Sequence, residues 1–75
     1  MKITHYFDWE GGPAVVGEVE PDVAHGYYMQ PDDVDWVQAN NLMVLDFFND
    51  GRPLSEESFQ NEYGIIGEDL PELPT

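Results

Sequence analysis

Lys2 and Arg52 are the only Lys or Arg residues in a chain that carries sixteen aspartates and glutamates. Ion pairing cannot hold such a chain together, and any compact state gathers like charges at a cost in self-repulsion. A fold must therefore rest on its apolar core or on a partner. The apolar supply is adequate: 41% of the 75 residues are hydrophobic and 13% aromatic, in patterned segments. That separates the chain from the low-hydrophobicity, high-charge composition of disordered sequences. With no cysteine there is no disulfide framework and no thiolate metal site. A globule of this size buries only ~60% of its unfolded surface, so the expectation is one marginally stable domain with little room for a deep cleft.

Hydrophobic periodicity organises the chain. Residues 2–9 alternate, placing Ile3, His5, Phe7 and Trp9 on one side of a strand and Lys2, Thr4, Tyr6 and Asp8 on the other. After a turn at 10–13, residues 14–20 read as a second strand with Val15 and Val19 inward, Val16, Glu18 and Glu20 outward, and Gly17 as a weak point or bulge. Pro21-Asp22 turns the chain into a third strand over 23–29, where Val23, His25, Tyr27 and Met29 share one face and Tyr28 takes the other. Pro31 with Asp32, Asp33 and Asp35 has the composition of a helix N-terminus, so a long helix is expected to about Phe48 or Asn49. Its wheel gives one stripe of Val34, Val37, Val44, Leu45 and Phe48, and a second of Trp36, Met43 and Phe47 nearly opposite. The second stripe is either covered core or an exposed ridge; a strand over 42–48 is the rival assignment. Asn49-Asp50-Gly51 stops the helix, and Ser55 caps a short second one in which Leu54 and Phe59 form a hydrophobic staple. The fold expected is α+β: a three-stranded antiparallel meander packed against one long and one short helix, over residues 1–66. Residues 67–75 form an acidic, proline-containing tail expected to fray, with Leu70 and Leu73 able to lie on the core. No run approaches the ~18 apolar residues of a membrane span and no signal-peptide core follows Met1, so the chain reads as soluble and cytosolic.

Catalytic signals are weak. Two histidines, no cysteine and scattered hydroxyls do not assemble a nucleophile and base, so the chain reads as non-enzymatic and without a cofactor. His5 and His25 would pair on one sheet face if the first and third strands were neighbours. Starting at Asp46, the run DFFNDGRPLSEE matches an EF-hand loop at Asp50, Gly51 and Glu57, but Phe48 and Pro53 occupy positions that need an oxygen ligand and a ladder donor. An Asn-Asp-Gly turn leading into a capped helix accounts for the same residues.

The formal net charge of −14 exceeds what solubility requires, a magnitude of about 2 to 8 in a small domain. A solvated face or a salt-adapted surface are the plain readings; ten aromatics in 75 residues weigh against the latter. The functional reading is spacing arithmetic. A 75-residue globule has a radius of gyration of ~11 Å and a diameter of ~29 Å, and ~29 Å of duplex DNA bears ~17 phosphates. Sixteen carboxylates match that density. The candidate partner-binding residues are Tyr6, Asp8, Glu10, Glu18, Glu20, Tyr28, Asp32, Asp33, Asp35 and Trp36, with Asp8, Glu18 and Glu20 surrounding Tyr6, Val16 and Tyr28 on the sheet's outer face. Direct binding to nucleic acid or anionic membrane is disfavoured, because phosphate contacts need cations.

In charge and size the chain resembles the heterogeneous set of small acidic proteins, mostly from phages and mobile elements, that imitate DNA. These include anti-restriction proteins, anti-CRISPR proteins and uracil-DNA glycosylase inhibitors. The set shares no motif, so no functional residue carries over. The resemblance implies a basic protein partner, such as a nucleic-acid-binding protein or nuclease. The alternative expectation is an immunity-like, antitoxin-like or adaptor protein that uses the Trp36/Met43/Phe47 ridge, through which a homodimer is also conceivable.

Overall fold

The N-terminal alternation forms β1 (Lys2–Trp9) in the computed structural model, which describes residues 2–33 and 35–65. Val34, the Val19 side chain and the tail over 67–75 with Leu70 and Leu73 lie outside the described residues. β1 returns as β2 (Gly12–Glu20) through Glu10 and Gly11, both at positive φ (53° and 76°), the backbone signature of a tight primed hairpin turn. β3 (Val23–Tyr28) completes an antiparallel meander, as the alternation predicts.

The sheet has five strands and not three. β4 (Val37–Ala39) pairs with β3, and β5 (Arg52–Leu54) pairs with β1, giving the order β4-β3-β2-β1-β5 with every pair antiparallel. The long helix expected from Pro31 is correspondingly shorter. α1 (Asn41–Asp50) starts after Asn40, whose side chain accepts from the Met43 amide at 2.9 Å. The carboxylates read as its N-terminal complement serve the preceding loop instead. Asp33 accepts from the Gln30 amide at 2.9 Å and Asp35 from the Trp36 amide at 2.8 Å. α2 (Glu56–Tyr63) has the predicted start and stop: Ser55 accepts from the Ser58 amide, and Gly64 closes the helix at φ 67°.

Each face of the sheet carries a helix, which overturns the expected outer face. Under α1, Phe7, Trp9, Ala14, Val16, Ala39 and Phe47 form one buried cluster, with Tyr28, Met43 and Val44 packed against it. Val15, Tyr27 and Phe59 form the other under α2, joined by Ile3, Tyr6, Trp36, Leu54 and Tyr63. Val16 is therefore core, not surface. The predicted grouping of Ile3 with Phe7 and Trp9 fails because Ile3 pairs with Gly17 and His5 with Val16, leaving Thr4 as a bulge that reverses the alternation. α1 sits close on the sheet because Gly26 has no side chain: a Cβ there would lie 2.6 Å from Val44 Cγ2.

Candidate interaction surface

The body measures 29 × 26 × 23 Å with a radius of gyration of 11.2 Å, the size assumed in the charge-density comparison. Glu68, Asp69 and Glu72 belong to the tail outside the described residues; every other carboxylate can be placed. Glu18, Glu20 and Asp22 gather at one end of the sheet, around the β2–β3 turn. Glu10 occupies the turn at the other end. The Met29 amide donates to the Pro13 carbonyl at 3.0 Å and so brings Asp32 and Asp33 alongside that turn. At ~3.3 Å per residue the length of β2 separates the two groups by ~27 Å. A groove of about 360 Å³ lined by Gly12, Pro13, Met29, Pro31, Tyr63 and Ile65 opens at the Glu10 end.

One of these acids holds backbone geometry that its side chain does not favour. Glu10 (φ 53°) and Asp22 (φ 69°) are the described non-glycine residues at positive φ, a region that glycine, asparagine and aspartate enter more readily than glutamate. Asp46 and Asp50 lie in the C-terminal half of α1, whose last turn contains no basic residue, where the helix dipole favours cations.

Asp8 has a different role from the one its alternation suggests. Its carboxylate accepts from the Tyr63 hydroxyl at 2.8 Å and from Arg52 at 3.0 Å, and Arg52 reaches Glu62 at 2.7 Å. This cluster fastens α2 to β1 and β5. The Tyr63 hydrogen bond, then Arg52, holds the Asp8 carboxyl below the usual carboxylate range. Burial, reinforced by Asp8, pushes the Tyr63 phenol well above its ordinary value. Arg52, one of the two Lys or Arg residues, is thus offset within the fold. The other, Lys2, stands opposite Glu18 in the strand register. No local pattern announces the cluster, since Asp8 is 44 residues from Arg52 and 55 from Tyr63.

The aromatic anchors do not form the single patch expected of them. Tyr6 packs tilted on Phe59 at 5.0 Å under α2, and burial, then Glu56, raises its phenol. Tyr28 meets Trp9 edge-on at 5.3 Å under α1, on the opposite face. Trp36 precedes β4, half-buried on the α2 side, and is not part of a helix. Phe47 is fully buried and Met43 packs against its cluster, while Trp36 lies on the opposite face of the sheet, so these three side chains do not form one ridge. The exposed residues of α1 come from the other side: Leu42, Leu45 and Phe48 remain 75%, 57% and 49% exposed. The expected stripe of Val37, Val44, Leu45 and Phe48 splits, because Val37 belongs to β4 and the helix starts only at Asn41.

The histidines do not pair, because β2 separates β1 from β3. His5 meets Phe48 edge-on and contacts Thr4; His25 is hydrogen-bonded to Gln38. The EF-hand spacing is distributed over α1, β5 and α2, with Asp46 and Asp50 helical and Pro53 in a strand. Among the described residues no three His, Asp or Glu side chains converge as metal ligands, and no helix is long and apolar enough to cross a membrane. No family model, curated protein or solved structure matches the chain.

Proposed function

We propose that the chain is a non-enzymatic acidic inhibitor that occupies the basic nucleic-acid-binding surface of a partner protein, as a DNA mimic of the anti-restriction, anti-CRISPR or glycosylase-inhibitor kind. The observation that carries this reading is where the acids sit. Glu10 occupies a left-handed turn position that Asn or Gly would fill with less strain, and Asp50 ends α1 where the helix dipole favours a cation. Local stability gives no reason for a carboxylate at either place, which supports a role for their charge in binding. Two acidic groups ~27 Å apart, on a body 29 Å long, also suit a partner surface that tracks phosphates along a duplex.

Tyr6 and Tyr28 face opposite sides of the sheet, so the recognition surface is built from the acids at the sheet's ends: Glu18, Glu20 and Asp22 at one, Glu10, Asp32 and Asp33 at the other, with Asp35 following in the loop before β4. Asp8 contributes through the α2 clamp. The test is affinity capture from a host lysate at low salt, eluted first with duplex DNA and then with high salt. Recovery of a nucleic-acid-binding protein in the DNA eluate supports the proposal. Retention of the captured protein through both elutions contradicts it.

A further inference from the structure

Within α1, Leu42, Leu45 and Phe48 recur at every third residue and form one exposed apolar row. At 100° per residue, Asp46 and Asp50 form a second row along one side of it, with Asn49 between. The two rows differ in surroundings. Phe48 is anchored edge-on against His5 at 4.9 Å and Phe7 at 5.1 Å, which fixes the end of the apolar row, whereas Leu42 and Leu45 project outward. No cation lies on the helix, and its last turn adds the partial negative charge of free carbonyls to Asp50.

We propose that this face of α1 docks into an apolar groove of the basic partner, whose Lys or Arg side chains line the lip that meets Asp46 and Asp50. The inference takes the sign of the partner from the charge-driven reading above and adds the face and chemistry of contact. Charge complementarity selects this occupant. A second copy of the chain would bring another −14, and a two-fold contact along the apolar row would set the Asp46/Asp50 rows of both copies beside it. A basic groove meets the same rows with opposite charge and covers the leucines in the manner of a helix-in-groove complex.

Two peptide probes test this on the full chain, followed by amide chemical shifts. One is an amphipathic helical peptide with a leucine face and a lysine face; the other is oligolysine of equal charge. The amphipathic peptide is expected to shift the amides of 42–50 selectively. Leu45→Ser is expected to weaken it about tenfold at both ~50 mM and ~500 mM salt, with the melting temperature lowered by only several degrees because more than half of Leu45 is exposed. Leu42→Ser, the more exposed position, carries the same prediction should Leu45→Ser unfold. Identical shift maps for the two peptides, unchanged affinity in both variants, or a dimer of the free chain that depends on Leu42 and Leu45 each overturn the inference. Salt-sensitive oligolysine binding spread over the acidic ends would leave the charge-driven reading standing even then, and loss of all binding to both peptides would remove both.

Discussion

Replacing Phe47 by alanine tests how α1 is seated on the sheet. Phe47 is fully buried, with ring centroids 4.8 Å from Trp9, 6.2 Å from Phe7 and 6.3 Å from Tyr28. Truncation removes the ring from the middle of an aromatic cluster that cannot collapse without moving two strands, so the expected cost is about 3–5 kcal/mol. A domain of this length holds about 4–11 kcal/mol in all. With a urea slope on the order of 1 kcal/mol/M, the midpoint should fall by about 3 M or more, or the protein should be unfolded without denaturant. Leu45→Ala provides the contrast. More than half of Leu45 is exposed, so truncation forfeits less than half of the about 1.5–3 kcal/mol that full burial of a leucine contributes. Urea unfolding followed by tryptophan fluorescence reads both. A Leu45→Ala cost above about 2 kcal/mol together with a Phe47→Ala cost below about 1 kcal/mol would show that the helix presents its other side to the sheet, and the reasoning would be refuted.

Three further outcomes follow from the electrostatics. The folded pKa of Asp8 is depressed, so its clamp with Tyr63 and Arg52 contributes stability above the unfolded carboxyl value near ~3.9 and loses it as pH falls through the folded value. Tyr63→Phe is expected to cost about 1 kcal/mol near neutral pH and to move the Asp8 carboxyl resonance titration upward; an unmoved titration contradicts the hydrogen bond. Glu10→Asn should raise stability by about 0.5–1 kcal/mol by relieving the left-handed turn while weakening capture of the basic partner, and unchanged capture would deny Glu10 a role. Raising salt from about 20 to about 500 mM should raise the melting temperature by several degrees, since it screens the self-repulsion of a −14 chain. A melting temperature that falls with salt would contradict that picture.

The meander and the second helix were legible because their signals are local. Two-residue alternation marks 2–9 and 23–28, and Ser55 with Leu54 and Phe59 marks the start of α2. The edge strands β4 and β5 are three residues each, too short to show a period, and are defined only by pairing with β3 and β1. The helix start is not legible because Pro31 and three aspartates imitate an N-terminus, while Asn40, the actual cap, stands inside an Asn-Asn pair without an acidic turn behind it. The sequence does hold one signal for the second covered face. Val15-Val16 and Tyr27-Tyr28 are adjacent apolar pairs, which a strand with one solvated face does not need. The turns that hold Glu10 and Asp22 were legible, but the separation of Tyr6 from Tyr28 depends on which faces the helices cover, and no single strand encodes that.

The central claim is that carboxylate charge, spaced like phosphate, drives binding to a nucleic-acid-binding surface. Its most direct test is the affinity of the purified complex with the captured partner, measured across salt concentration with and without a competing DNA duplex. Affinity that falls steeply as salt rises, and duplex that displaces the chain competitively, are the predicted results. A flat salt profile, or a partner that binds duplex and this chain at the same time, would contradict the account.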